Sequence, residues 1–255
     1  MTTLDPVTVT ARLRTVGGDE PPFAVRRFEL IERIDHPFKM VLELACDELE
    51  LDVRSLLGAR GIVEVDRTSV TARSFGGVVT QAEYISTRNQ QLFARVVLEP
   101  PLALLRYQTR RRIFPDLTLA EVLDVVAAPL FASHGGAWDF SRISSEMLPR
   151  DYVVQMDESD LDFVLRLLSE AGVCLLQGQG AEEGDSLFTL VDDNAALPSY
   201  GVDPSVSEES RPTVVVFVPE AEEEHDEPSV QYLGRKDGIH PQGVTVQARN
   251  WKTPG

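Results

Sequence analysis

Residues 151–172, which read DYVVQMDESDLDFVLRLLSEAG, decide the fold of the chain. Four apolar residues of this stretch recur at the spacing of one helix face: Leu161, Val164, Leu165 and Leu168. Four carboxylates crowd the expected first turns, where the helix dipole favours negative charge: Asp157, Glu158, Asp160 and Asp162. Gly172 is expected to end the helix. The stretch therefore predicts an amphipathic helix, and the apolar runs after it, 173–177 and 187–191, predict a β-hairpin.

A second helix is predicted before this stretch. Thr118-Leu119-Ala120-Glu121 has the form of a capping box, in which each of the two end side chains accepts from the other residue's backbone N–H. The next apolar residues share one helix face: Leu119, Val122, Leu123 and Val126. Pro129 is expected to limit this helix, because proline removes a backbone donor. A loop is expected around 135–136.

The first hundred residues predict strands. Apolar and polar residues alternate at 7–13, and further short apolar runs lie at 39–44, 61–65, 75–80 and 92–98. Turn residues separate these runs, a pattern typical of a β-sandwich or a β-barrel. One short helix is expected at 53–57, capped by Asp52 and closed by Gly58. Further strands are expected at 213–218 and 244–248.

The charge of the chain argues against two classes of partner. There are 24 Lys and Arg against 41 Asp and Glu, which gives a formal charge of −17. Nucleic acids and anionic membranes both require a basic face, so neither is an expected partner. The lack of a signal peptide and of a long apolar run predicts a cytoplasmic protein. Cys46 and Cys174 lie far apart in apolar contexts, which predicts two buried free thiols and no disulfide framework.

The motifs that could carry chemistry are weak. Gly178-Gln179-Gly180, with Gly184, lies between two expected strands, so it predicts a hairpin loop rather than a dinucleotide-binding site. The four histidines have no ligand-like spacing, and the acidic run at 220–227 around His225 predicts a solvated loop. We therefore predict no catalytic residue, no metal and no cofactor.

Two charged groups each allow two interpretations. The one basic cluster is either a solvated turn or a subunit contact that pairs with the acidic run at 220–227, and it comprises Arg106, Arg110, Arg111 and Arg112. Glu158 and Asp160 can be read as a general acid and base, but capping and the helix dipole account for them better. With Arg166 they form either an ion-pair network that orients the helix or a surface that faces a partner. The sequence leaves these alternatives open.

The stretch 151–172 resembles the signature of VgrG proteins, the spike proteins of bacterial type VI secretion, within their phage-hub-like N-terminal module. The matching positions are Tyr152, Gln155, Glu158, Ser159, Asp160, Phe163, Arg166, Leu167, Glu170 and Gly172. Further matches occur in the family's order: Pro37-Phe38, Leu56-Leu57-Gly58, RSFGGVV at 73–79, and Leu98-Glu99-Pro100. Arg112-Ile113-Phe114 resembles the family's Arg-Ile-Phe-Gln motif, although Pro115 replaces the glutamine.

The resemblance implies an α+β, β-rich fold with two tube-protein-like β-barrel domains joined by α/β connector elements. The first barrel is expected at 1–105, and the helical connector with a discontinuous second barrel at 106–255. The resemblance also implies a homotrimer, in which three chains with two barrels each form a ring of pseudo-sixfold symmetry. Such a ring would dock a hexameric, Hcp-like inner-tube protein and adapt it to a threefold spike.

The function implied by the resemblance is a non-enzymatic structural hub. Its implied partners are the inner tube, baseplate proteins and a spike or needle domain in the same or another chain, with no nucleic acid. It would assemble in the cytoplasm and leave the cell with the apparatus. Residues 250–255 fall about where the family's needle begins. Three rival hypotheses are a hub of a contractile phage tail or extracellular injection particle, a cell-wall hydrolase that uses Glu158 or Asp160, and a small-molecule-binding β-barrel.

Overall fold

The computed structural model describes residues 9–16, 23–67, 70–197, 216–217 and 229–230. The first six strands are β1 (Val9–Thr15), β2 (Phe23–Arg33), β3 (His36–Cys46), β4 (Arg60–Arg67), β5 (Val70–Arg88) and β6 (Gln91–Glu99). They form one antiparallel sheet in the order β1-β4-β5-β6-β3-β2. Because its edge strands β1 and β2 lie next to each other in space, the sheet is curled into a half-barrel.

The inside of the half-barrel results from the alternation of side chains along its central strands. The alternating buried positions include Met40, Leu42 and Leu44 on β3, and Ala94, Val96 and Leu98 on β6. The register places Leu42 opposite Val96, so the two apolar rows lie side by side on the same face of the sheet. These rows form the centre of the first hydrophobic core.

A second group of elements comes after β6. It comprises a 3-10 helix (Pro101–Tyr107), β7 (Thr109–Leu117), α1 (Leu119–His134), β8 (Gly136–Arg142), β9 (Arg150–Ser159), α2 (Asp160–Ala171), β10 (Cys174–Gln179), β11 (Ser186–Val191) and a 3-10 turn (Asn194–Ala196). Strands β7 and β9 form a two-stranded antiparallel ribbon, and a three-stranded sheet has the order β10-β11-β8. The two helices, the ribbon and this sheet enclose a second hydrophobic core. The β-rich α+β class is thereby confirmed.

Local signals in the sequence set the helix ends. Thr118 and Glu121 form the predicted capping box, and Ser159 caps α2 by accepting from the N–H of Asp162. Gly172 ends α2 in the left-handed conformation, as predicted, and the β10–β11 hairpin comes directly after it. The helix at 53–57 is present as a 3-10 turn (Val53–Leu56) capped by Asp52.

Several expectations from the sequence are wrong. Helix α1 continues through Pro129 to His134, because Phe131 beyond the proline is buried and stacks on Phe188 at a centroid distance of 5.2 Å. Asp157 and Glu158 lie at the end of β9 rather than in the first turn of α2. Four strands had no recognised signal: β2, β7, β8 and β9. Cys46 is buried and Cys174 is half-buried, and both are free thiols.

The contacts divide the chain into two units, 1–198 and 199–255. In the second unit the described residues are two short parallel strands, β12 (Val216–Phe217) and β13 (Ser229–Val230). The expected strand at 244–248 and the acidic run at 220–227 lie outside the described residues. The domain boundary near residue 105 stays a prediction. Among the described helices, none is long and apolar enough to cross a membrane.

The β10–β11 hairpin docks on the half-barrel through a close approach of two glycines. A Cβ on Gly76 of β5 would overlap the backbone carbonyl of Gly184, and Ser186 Oγ donates to the Gly76 carbonyl at 3.3 Å. At the tip of β2–β3, the N–H of Leu175 donates to Asp35 Oδ1 at 2.7 Å and the N–H of Asp35 to the Leu175 carbonyl at 3.1 Å. Gly178 and Gln179, predicted to lie in the hairpin loop, are the last residues of β10, and the loop itself begins at Gly180.

Gly76→Ala should weaken this docking. The new methyl group has no space beside the Gly184 backbone, so we expect the free energy of unfolding to fall by about 1–3 kcal/mol in a urea titration. Gly178→Ala is the matched control, because a Cβ there meets nothing within 4 Å. Equal stabilities of the two variants would contradict a close backbone contact.

Candidate functional site: a buried arginine–carboxylate junction

The junction between β9 and α2 begins with a β-bulge. In the ribbon, Arg110 pairs with Glu158 and Arg112 with Gln155, so one residue of β7 lies opposite two residues of β9. Asp157, one of these two, has a φ of 54°, in the left-handed region that aspartate tolerates. The extra residue turns the chain, and Gln155 and Asp160 on either side of the bulge are both only 1% exposed.

Asp160 is a buried carboxylate with several donors around it. Its Oδ1 accepts from Arg112 Nη2 at 2.7 Å and from Gln155 Nε2 at 2.8 Å, and Arg110 Nε lies 3.5 Å from its Oδ2. Its backbone N–H donates to the Gln108 carbonyl at 2.8 Å. A charge removed from water in this way is tolerated only when it is paired and hydrogen-bonded.

Gln155 closes a ring of three hydrogen bonds, which we call the Arg112–Gln155–Asp160 triad. Arg112 Nε donates to Gln155 Oε1 at 2.8 Å, while the Gln155 amide donates to Asp160 and, at 3.2 Å, to the Glu158 carbonyl. Each member of the triad thus holds the other two, and the three come from β7, β9 and the start of α2. Such a closed polar network specifies one arrangement of its elements.

Arg166 forms a second connection between α2 and β9. Its guanidinium binds both oxygens of Glu158, at 3.0 and 2.6 Å, and its Nη2 also donates to the Val154 carbonyl at 2.9 Å. Its Nη1 donates to Glu170, one turn further along the helix, at 2.6 Å. The hydrogen bonds from Arg166 lower the pKa of Glu158, and those to Glu158 raise the pKa of Arg166.

Two stacked aromatic rings lie beneath both arginines. Phe114 of β7 and Phe163 of α2 are nearly parallel, with centroids 5.6 Å apart. Arg112 lies 5.4 Å from the centroid of Phe114, and Arg166 lies 5.4 Å from that of Phe163. Burial against this apolar surface lowers the pKa of Arg112, although an arginine remains charged at any ordinary pH. The junction therefore combines ion pairs with cation–π contacts.

The structure gives most of these charged groups partners within the chain, while the pairing of the basic cluster with the acidic run at 220–227 stays a prediction. Arg112 pairs with Asp160, Arg111 with the exposed Asp157 at 2.6 Å, and Arg106 with Glu99 at 2.7 Å. The basic cluster thus has partners within the chain. Glu158 pairs with Arg166 and Asp160 with Arg112, which agrees with the ion-pair alternative, and the alternative that these groups face a partner stays a prediction. Sequence reasoning missed the role of Gln155, although its match to the signature singled it out.

The rest of the described chain offers little for chemistry. Within the described ranges, no three His, Cys, Asp or Glu side chains are grouped to hold a metal ion. Two clefts of about 260 and 250 Å³ lie between the β10–β11 hairpin and the half-barrel strands next to it. Both are smaller than the roughly 300–1,000 Å³ of typical ligand pockets. The junction holds helix α2 against strands β7 and β9 through buried polar contacts.

Asp160→Asn should be strongly destabilising. The substitution keeps the shape but leaves the half-buried Arg112 without its carboxylate, so we expect a loss of about 3 kcal/mol in urea unfolding. The matched control is Asp157→Asn, which removes an exposed ion pair with Arg111 and should cost less than about 1 kcal/mol. Comparable losses in the two variants would refute a special role for Asp160.

Glu158 should make stability depend on acid pH. The folded pKa of Glu158 lies below its ordinary 4.5, so its contribution is complete above that value and is lost as the pH falls through the folded pKa. We therefore expect Glu158→Gln to be less stable than the parent at neutral pH, with the difference shrinking towards about pH 3. Thermal melts over this range measure it, with the exposed Glu146→Gln as control. A difference that stays constant with pH would contradict this assignment.

Comparison with known sequences agrees with this architecture. The profile of the family described as "Phage tail baseplate hub (GPD)" matches residues 31–255. The type VI secretion system spike protein VgrG2a of Pseudomonas aeruginosa is 32% identical over 158 residues, which is 62% of this chain and 18% of that protein. VgrG5 of the same organism is 27% identical over 235 residues, 91% of this chain and 27% of that protein. The matched region thus covers about a fifth to a quarter of these relatives.

A solved structure shows the same fold. The E. coli c3393 protein, described as a component of the type VI secretion system with structural similarity to T4 bacteriophage tail proteins gp27 and gp5, superposes with a TM-score of 0.60. The two sequences are 25% identical, and the match covers 72% of this chain and 50% of that one. The resemblance seen in the signature stretch therefore extends to the family profile and to the fold. The chain belongs to the phage tail baseplate hub (GPD) family.

Proposed function

We propose that this chain is a structural hub of a contractile injection apparatus, at the base of a type VI secretion spike. The observation that carries the proposal is the family match over 31–255, because it includes strands β3–β6 of the half-barrel and the junction around α2. The relatives that match are themselves spike proteins. The junction suits this role, since it fixes the orientation of neighbouring elements and leaves no reactive group poised for a substrate.

The proposed assembly is a homotrimer with pseudo-sixfold symmetry. Each chain would supply two barrels, one at 1–105 and one within 106–255, so that three chains present six similar units to a hexameric inner tube. The half-barrel supports the first of these domains. Support for the boundary comes from the two hydrophobic cores, since the first ends at Leu98 and the second begins at Leu102.

The proposed role is non-enzymatic. A hydrolase needs one carboxyl whose pKa is raised so that it can donate a proton. Glu158 has the opposite shift in pKa, because Arg166 binds both of its oxygens, and Asp160 is only 1% exposed. Both carboxylates are therefore engaged in holding the fold, which supports a positioning role.

The proposed partners are a hexameric inner-tube protein on one face of the ring, baseplate proteins, and a spike or needle domain in the same or another chain. In this proposal the hub assembles inside the cell and is expelled with the tube. The nearest alternative is the hub of a contractile phage tail or extracellular injection particle, which agrees with the family's description, whereas the matching relatives are type VI spike proteins. Neighbouring genes for a type VI sheath or for phage tail proteins would separate the two.

A trimer should be visible directly. Light scattering of the purified chain at micromolar concentration is expected to give a particle of three times the 28.3 kDa chain mass, with a threefold or pseudo-sixfold outline in electron-microscopy class averages. Co-purification with the tube protein tests the second half of the proposal. A monomer that does not bind the tube protein would refute the proposed hub. If the parent protein instead released fragments from cell walls and the Glu158→Gln variant did not, the hydrolase hypothesis would be established.

A further inference from the structure

The half-barrel has a gap at one end, because β6 is shorter than the strands on either side of it. Strand β6 pairs with β3 as far as Met40 and with β5 as far as Val78, and it ends at Glu99. Beyond these pairs β3 and β5 both continue, whereas the chain after β6 forms a 3-10 helix. In the described sheet β3 and β5 are not paired with each other. We call the space between 36–39 of β3 and 70–77 of β5 the slit.

Side chains from both sides meet across the slit. Phe38 of β3 and Phe75 of β5 are buried in edge-to-face contact, with ring centroids 5.6 Å apart. The exposed Arg73 of β5 donates to both oxygens of Glu32, near the end of β2, at 2.7 Å each. The two sides are thus joined by side chains rather than by a β-ladder, and an exposed ion pair contributes little to stability.

The start of the β10–β11 hairpin is bound to the β3 side of the slit. The N–H of Phe38 donates to Gln177 Oε1 at 3.3 Å. Next to it lie the two hydrogen bonds between Asp35 and Leu175, one through each backbone N–H. Strand β10 therefore takes up hydrogen-bonding groups of β3 and of the β2–β3 turn at the place where β6 has ended.

The turn of the hairpin is bound to the β5 side of the slit. The backbone of Gly184 lies directly against Gly76 of β5, and Ser186 Oγ donates to the Gly76 carbonyl. Arg60 of β4, the strand next to β5, forms an ion pair with Asp185. Residues of β2, β3, β5 and β10 together line the cleft of about 250 Å³, so the hairpin and both sides of the slit meet at one place.

The hairpin belongs to the second hydrophobic core at the same time. Leu175, Phe188 and Leu190 are almost completely buried in that core. The contacts of the chain accordingly place residues 1–198 in one compact unit. Any opening of the half-barrel at the slit therefore has to break contacts of the hairpin as well.

We propose that the β10–β11 hairpin is a strap that closes the slit, so that the half-barrel and the hairpin open as one cooperative unit. The two domains of the proposed hub then have separate cores but no separate stabilities. The inference rests on contacts within one chain, so it does not depend on the proposed trimer or on the inner tube.

Native-state hydrogen exchange of the full chain over a series of urea concentrations tests the strap. Mass spectrometry of peptides gives separate protection factors for the hairpin and for the central strands β3 and β6. Asp35→Gly removes the side-chain acceptor of the Leu175 N–H, and glycine tolerates the φ of 64° at this position. Asn89→Gly is the matched control, because Asn89 has a φ of 51° in the turn at the opposite end of β6.

In the parent, the protection factors of the hairpin and of the central strands are expected to converge on one value with one urea dependence. Asp35→Gly should lower both by roughly tenfold, as expected for the loss of one hydrogen bond to a charged group, whereas Asn89→Gly should lower neither. Asp185→Asn, which weakens the ion pair with Arg60 at the other attachment, is the second variant in case Asp35→Gly does not fold, and the same pattern is expected.

A hairpin at least about tenfold less protected than the central strands of the parent would overturn the strap, because the half-barrel would then stay closed without it. A loss of protection confined to the hairpin of Asp35→Gly, or no loss in either variant, would overturn it as well. Equal losses in Asp35→Gly and Asn89→Gly would show that any weakened turn has this effect and would also overturn it.

Discussion

Burial of a carboxylate is the constraint on which the architecture around α2 depends. Asp160 is almost completely removed from water, and its charge is compensated by Arg112 from β7 and by the Gln155 amide from β9. A buried charge without its partner costs several kcal/mol. The first turn of the helix is therefore stable only when both strands of the ribbon are in place, so the triad selects one packing of helix on ribbon.

The position of α2 determines where the next elements lie. The stacked rings of Phe114 and Phe163 lie under the arginines of the junction, and Gly172 leads directly from α2 into the β10–β11 hairpin. That hairpin reaches the half-barrel through Gly76 and Gly184, where the two backbones meet without side chains between them. A single polar junction thus fixes, through one helix, how the second core is joined to the first. The proposed role of a hub is to hold its domains in a fixed arrangement, and the junction contributes to that arrangement.

The helices could be predicted from the sequence because their signals are local. The capping box at Thr118, the apolar face of α2 and Gly172 are each contained in a single element. The buried apolar residues of α2 are Phe163, Val164, Leu167 and Leu168, so the predicted face is shifted, with Leu161 and Leu165 only partly buried. The ribbon had no such signal, because β7 and β9 pair across about forty residues and the triad joins Arg112 to Asp160 across 48. Pro129 failed as a helix end for a similar reason, since the burial of Phe131 is decided by tertiary contacts. The signature positions singled out the junction, but only the folded structure shows that Gln155 connects its two charges.

A double-mutant cycle between Arg112 and Asp160 tests the central claim most directly. Arg112→Met, Asp160→Asn and the double variant are unfolded in urea beside the parent, and the coupling free energy is taken from the four stabilities. If the two residues form the junction on which α2 depends, the coupling should reach about 2 kcal/mol, within the range found for residues in one network. Effects that add to within about 0.5 kcal/mol would show that the residues act independently and would contradict the account.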